Sequence, residues 1–373
     1  MDNLRNINEE SIKKEFSELV AIDSVSFSER QMADCLTEKL RSLGFTVTED
    51  EAGKTYGGNA GNLYGFLKGA LPGEPVLLSA HMDTVQPGIG KKAVFTEDGT
   101  IISQGDTVLG ADDLAGIVEI LEAVRFLQRN SIPHRDVEIL FPIGEEFYVK
   151  GTNVFEFERI RAKEAYVLDM SGKIGRAAIQ APSILSFEVK IQGKAAHAGF
   201  EPQRGIHAIS IMSKAISKIP QGRREDGTTF NIGTISGGEA VNIVPEICRC
   251  TGEVRSYDHQ AAMACIEQTK QIFMESSCEV GALCAFDYSV DAVAYQIDRD
   301  ASVVKRFERS CKALGIEPEL VTTFGGSDNN NFVRHGIQGI VLSCGMFQVH
   351  STKEYALVEE LKKGAALVAE LIK

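Results

Sequence analysis

Apolar positions near the start of the chain recur at helical spacing. Over residues 7–43 they fall at intervals of three and four and stop at Gly44, a usual place for the glycine that closes a helix. Two helices are predicted there, broken near residues 24–28. Short, nearly continuous apolar runs then predict strands at 62–67, 76–79, 137–143, 165–168 and 339–342, with helical stretches between some of them. Strands alternating with helices imply an α/β fold around a mostly parallel sheet. Between residues 183 and 290 the order changes: strand 183–192, helix 206–219, strands 230–235 and 247–256, helix 259–276 and strand 283–290. This β-α-β-β-α-β order is the signature of a ferredoxin-like α+β sandwich. It interrupts the α/β pattern, so the expected domains are a discontinuous one, 1–179 with 293–373, and an inserted one, 180–292. The hinges fall near 177–183, which contains Pro182, and 291–295.

A chain of 373 residues with 43% hydrophobic content is long enough to bury two such cores. The net charge of −13 and the lack of any dense Lys/Arg cluster argue against a nucleic-acid partner. The charged opening segment carries no apolar signal region and no later run is long enough to span a bilayer, so no membrane partner is expected and the protein reads as cytoplasmic. The 8 cysteines are scattered. The closest pair, Cys248 and Cys250, lacks Cys-x-x-Cys spacing, which leaves His, Asp and Glu as candidate metal ligands.

Those residues gather at the ends of the apolar runs, where ligands bind in an open α/β sheet. His81 and Asp83 follow the 76–79 run and, by strand alternation, point the same way. That suits an imidazole on a metal with a carboxylate supporting it, although two solvated groups at a strand end would look the same. Glu145 and Glu146 follow the 137–143 run, Asp169 follows 165–168, and His350 follows the stretch from Gly339 to Val349. Asp112 opens a predicted helix over 114–127. Singly, each has an ordinary explanation: Asp112 or Asp113 capping the helix, Glu145-Glu146 forming an acidic turn. Jointly, two histidines and three carboxylates give each of two divalent ions about three protein ligands if one carboxylate is shared, and leave one carboxylate for proton transfer.

In order, His81-Met-Asp-Thr-Val, Gly110-Ala-Asp-Asp-Leu-Ala-Gly, Gly144-Glu-Glu, Leu168-Asp169, His197-Ala-Gly, Gly325-Gly-Ser-Asp-Asn and His350-Ser-Thr-Lys-Glu resemble the motifs of the dizinc peptidases and deacylases related to peptidase T. The likeness spans nearly the whole chain and is closest to the tripeptide-aminopeptidase branch. It implies two Zn²⁺ per subunit, for which Co²⁺ or Mn²⁺ could substitute, with Asp112 bridging them. His81 and Asp169 would complete one site, and Glu146 and His350 the other. Glu145 would be the general base, and Asp83 would orient His81. The Asp112–Asp113 peptide bond would be cis. His197, from the inserted lid and dimerisation domain of a partner subunit, would steady the oxyanion, so a homodimer is implied. Asn242, Arg255 and the loop of Gly326 and Ser327 are candidates for binding substrate.

The function expected from this likeness is zinc-dependent removal of N-terminal residues from short peptides, tripeptides foremost. One alternative is a deacylase or carboxypeptidase acting on N-acyl amino acids or blocked dipeptides. Another is a dimeric peptide-binding protein without catalysis. Two departures bear on this. Leu114 stands where many relatives carry Lys, and His197-Ala-Gly replaces the His-Pro-Gly of peptidase T proper, which puts strict tripeptide specificity in question. His134, His207, His259 and His335 match no ligand motif and are expected to be structural.

Overall fold

Four apolar runs form the parallel centre of the larger sheet. Val76–Ser79 lies between Val137–Phe141 and Glu164–Met170, and Gln338–Ser343 follows on the other side of Glu164–Met170. Every residue of Val76–Ser79 and Val137–Phe141 is buried. Strands covered on both faces read as continuous apolar runs, which is why the pattern reveals them. Glu138 sits inside one such run and is accommodated because its carboxylate accepts hydrogen bonds from the Tyr64 hydroxyl at 2.8 Å and the Ala162 N–H at 2.9 Å. Leu63–Leu67 and Thr46–Glu49 extend one edge antiparallel, and Arg176–Ala181 with Glu319–Thr322 extends the other.

The computed structural model describes residues 7–373. Its first helices are Glu9–Val20, capped by the Asn8 side chain, and Arg30–Ser42, after which Gly44 takes a left-handed φ of 87°. Ala111–Arg129 is buried along nearly its whole length and packs on Val358–Leu371. The approach is closest at Gly364, where a Cβ would lie 2.0 Å from the Glu119 carboxyl carbon. A second, four-stranded antiparallel sheet joins Met346–Phe347, Tyr355–Leu357, Thr100–Ser103 and Ala93–Phe95. The apolar pattern does not announce it, because strands of two to four residues are too short to establish a period. For the same reason the predicted stretch leading to His350 is two elements: the central strand stops at Ser343, and His350 lies in the loop of the following hairpin.

The chain divides into two compact units. One holds the described residues up to Gln180 with Gln296–Thr323 and Ser327–Lys373; the other holds Ala181–Tyr295 with Phe324–Gly326. The second unit is a ferredoxin-like sandwich. Its antiparallel sheet runs Thr229–Gly237, Ile247–Ser256, Ser183–Gln192, Leu283–Ala292, with a two-residue strand Gly222–Arg223 at one edge. Alternate residues Leu185, Phe187, Val189 and Ile191 face inward and form one core with the apolar sides of Ala208–Ser217 and His259–Cys278. Cys248 and Cys250 are free thiols in that core. Among the described residues, no helix is long and apolar enough to cross a membrane.

Candidate metal centre

His81 leaves the end of Val76–Ser79 with its ring wholly buried. Nδ1 lies 2.9 Å from the Asp83 backbone carbonyl. A carbonyl only accepts, so Nδ1 donates its proton there, and Nε2 faces Asp112 Oδ1 at 3.1 Å. The Asp83 carbonyl thus orients the ring, with the Asp83 carboxylate 3.4 Å from the same nitrogen. The carboxylate also accepts from Ser26 Oγ at 2.6 Å and from the N–H groups of Glu145 and Glu146 at 2.9 and 3.2 Å. Asp83 therefore ties the His81 strand end to the Glu145-Glu146 turn, which follows Gly144 in a left-handed conformation.

Asp112 faces two ways. Oδ1 meets His81 and Oδ2 lies 3.1 Å from His350 Nε2, the disposition a bridging carboxylate requires. His350 Nε2 also lies 2.9 Å from Glu146 Oε2, and Asp169, near the end of Glu164–Met170, lies 4.0 Å from His81. Two groups of potential metal ligands result, His81–Asp112–Asp169 and Asp112–Glu146–His350, with the ligand atoms of each within 4.8 Å of one another. Glu145 belongs to neither and lies 4.0 Å from His81 Nε2. The Asp112–Asp113 peptide bond is cis, as the resemblance implies.

The charges are unbalanced as they stand. Burial, then the neighbouring Asp169, pushes the Glu145 carboxyl well above its ordinary range, and burial with Asp112 does the same to Asp169. Burial also opposes ionisation of Asp112, but hydrogen bonds from His350 and His81 outweigh it and hold that carboxyl low. Contact with Asp112 and then Glu146 lifts the His350 imidazole to about 10. Such a cluster takes up protons where cations would otherwise sit, since metal ions displace protons from the same nitrogen and oxygen lone pairs. The donor set, neutral imidazoles and carboxylates in two groups sharing one residue, fits a pair of divalent ions.

The sequence matches the profile described as the peptidase dimerisation domain over residues 179–277 and that of peptidase family M28 over 62–218. The uncharacterized protein YqjE of Bacillus subtilis is 37% identical over 366 residues, covering 98% of both chains. The crystal structure of aminopeptidase PepT from Bacillus cereus superposes with a TM-score of 0.89 at 38% identity, and that of a tripeptidase from Staphylococcus aureus with 0.93 at 34%, each covering 98% of both chains. The chain belongs to the peptidase T-like metallopeptidases.

In this peptidase T-like chain the second unit carries the other sequence-predicted residues, apart from Ser327. His197 is exposed, and its Nδ1 accepts the N–H groups of Gly199 and Phe200 at 3.1 and 3.2 Å, which leaves the proton on Nε2 as an outward donor. Asn242, also exposed, is brought beside it by the Ala198 N–H bond to its carbonyl at 2.9 Å. Arg255 is committed elsewhere. Its fork makes two hydrogen bonds to Glu253, at 2.8 and 3.0 Å, and a third to the Phe324 carbonyl, so a substrate carboxylate would have to displace an existing partner. Gly326 is partly exposed, whereas Ser327 is buried with its N–H on Asn330 and its hydroxyl on the Asn329 N–H. Those bonds give Ser327 a part in shaping the loop.

Sequence reasoning missed the supports of the centre. Glu354, buried, accepts the N–H groups of Gly110 and Asp112 at 2.8 and 2.9 Å and so fixes the turn that presents Asp112. It closes the His350-Ser-Thr-Lys-Glu motif, and that position was the available signal. Asp113 accepts the His81 N–H at 3.1 Å. Asp328, whose carboxyl burial raises to about 7, accepts from Thr152. The four histidines without a motif have local partners: His134 bonds the Arg135 carbonyl, His207 caps Ala208–Ser217, His259 bonds Ser183, and His335 stacks on Phe157.

Proposed function

We propose that this chain is a metal-dependent aminopeptidase of short peptides, tripeptides foremost, with Glu145 as general base. The observation that carries the reading is the bridging posture of Asp112 between two histidines with Glu145 buried beside them. The names of the Bacillus cereus aminopeptidase and the Staphylococcus aureus tripeptidase support the substrate class.

His81, Asp112 and Asp169 would hold one ion and Asp112, Glu146 and His350 the other, with Zn²⁺ the expected metal and Co²⁺ or Mn²⁺ compatible with the same donors. When bound, two such ions supply Lewis-acid polarisation of the scissile carbonyl and a water of lowered pKa. Glu145 takes a proton from the attacking water and returns it to the departing amine nitrogen. Asp83 holds the backbone of Glu145 and Glu146, and Glu354 holds that of Asp112, so base and bridging carboxylate stay in register through the proton transfers. His197, with its proton on Nε2, donates to the developing oxyanion. Its place on the inserted unit, which matches a dimerisation profile, supports delivery from the partner of a homodimer. The eight free cysteines support a reducing, cytoplasmic setting.

Metal-free protein reconstituted with Zn²⁺ is expected to release N-terminal residues from tripeptides, and chelation should abolish the activity. Cleavage of N-acyl amino acids or N-blocked dipeptides alone would establish a deacylase or carboxypeptidase instead. Absence of both bound metal and turnover would establish a binding protein.

A further inference from the structure

Immediately after Glu146 the chain exposes two aromatic side chains, Phe147 at 56% and Tyr148 at 41%. Single exposed aromatics are ordinary, but Phe147 is not isolated. Its ring lies 5.4 Å from that of Phe27, which lies 5.7 Å from that of Tyr56. Phe27 rests directly on the catalytic turn: a Cβ on Gly144 would come within 2.7 Å of its ring. One buried oxygen, Glu29 Oε1, accepts both the Phe27 N–H at 2.7 Å and the Gly144 N–H at 3.0 Å, so ring and turn share a single anchor.

The backbone around these rings is also unusual. Phe27, Tyr148 and Val149 adopt φ values of 67°, 63° and 51°. That left-handed region is unfavourable for bulky and β-branched residues and persists where the surroundings over-determine it, commonly at sites that bind. A partly exposed aromatic surface is thus held rigidly against the residue that precedes the general base.

We propose that Phe27, Tyr56 and Phe147 form a substrate shelf that takes a bulky apolar or aromatic side chain of the peptide. The proposal rests on the peptidase reading and adds the class of residue that reading leaves open. Because ordering of the shelf is already complete, an apolar side chain gains contact area there without rearranging the catalytic turn.

The test compares kcat/KM for tripeptides carrying Phe or Ala at each of the three positions, in the parent enzyme and in Phe147→Ala. At one position the parent should prefer Phe by about tenfold, and the variant should lose most of that preference, while Phe147→Leu keeps it. An unchanged Phe-to-Ala ratio at all three positions overturns the shelf. The chain contains no Trp, so Phe147→Trp introduces a single indole. In a metal-loaded Phe147→Trp, Glu145→Gln protein, Phe- or Leu-containing tripeptides should shift its emission saturably and Gly-Gly-Gly should not. Equal responses to all peptides overturn the shelf. If the parent hydrolyses no peptide at all, the peptidase reading falls, and the indole titration still decides the shelf by itself.

Discussion

The two units of this chain present their polar residues in opposite ways. In the first, His81, Asp83, Asp112 and Glu145 are buried and tied across segments by carboxylate-to-backbone hydrogen bonds: Asp83 accepts the N–H groups of Glu145 and Glu146, Glu354 those of Gly110 and Asp112, and Asp113 that of His81. In the second, His197 and Asn242 stand exposed, His197 beside Phe200, itself 80% exposed, and the His197 ring accepts hydrogen bonds from N–H groups of its own turn. A buried cluster of like charges must be cross-braced, because each carboxylate repels the next and has lost its water. A neutral imidazole donor on a surface turn needs no such bracing. The first arrangement is braced from within; the second stands open to solvent.

That contrast can be broken in graded steps. Glu145→Ala should lower kcat by about 10²–10⁴-fold while leaving two metal ions per subunit by elemental analysis; loss of metal with activity would reassign Glu145 as a ligand. His197→Ala should lower kcat by roughly 10²–10³-fold with no measurable change in melting temperature, as expected for an exposed donor. Mixing the His197→Ala and Glu145→Ala proteins under conditions that exchange subunits should restore activity if His197 acts across the dimer, and silence in the mixture would falsify that arrangement. Asp83→Asn, which replaces half of an acceptor pair by a donor facing two N–H groups, should weaken metal affinity or activity by about 10–100-fold, read from a chelator-competition titration.

The smallest effect belongs to a group outside both sets of candidate ligands. Glu119 is buried where Ala111–Arg129 meets Val358–Leu371, its Oε1 has no partner, and burial followed by repulsion from Glu360 raises its carboxyl well above the ordinary 4.5. A raised carboxyl in the folded state means that the folded form keeps a proton the unfolded form releases as pH climbs past 4.5. Stability is therefore lost with rising pH, by up to about 1.4 kcal/mol per pH unit across that window. Glu119→Gln should remove this slope, so its melting temperature should match the parent near pH 4 and exceed it increasingly toward pH 8.

The sequence was most readable where the environment is simplest. Val76–Ser79 and Val137–Phe141 are buried on both faces and end in charged residues, so strand and ligand could be seen together. The hairpin that delivers His350 was hidden because its strands are two and three residues long. The role of Asp83 was legible only in part: spacing shows which side chains point alike, but not that the Asp83 carbonyl would take the imidazole while its carboxylate also ties down a different segment. Arg255 illustrates the same limit, since Glu253 stands in its own motif, Glu253-Val-Arg-Ser256, yet the motif alone leaves open whether that carboxylate or a substrate takes the fork.

The scatter of the metal-centre residues along the chain has a consequence for biosynthesis. His81 and His350 flank the entire inserted unit, and Gln338–Ser343 must pair with Glu164–Met170 before the central sheet is complete. A ribosome-bound chain that has produced only the first ligands, or even the finished inserted unit, cannot yet assemble the pair of sites around Asp112. Any chemistry that needs both groups of residues therefore waits until His350 has been made.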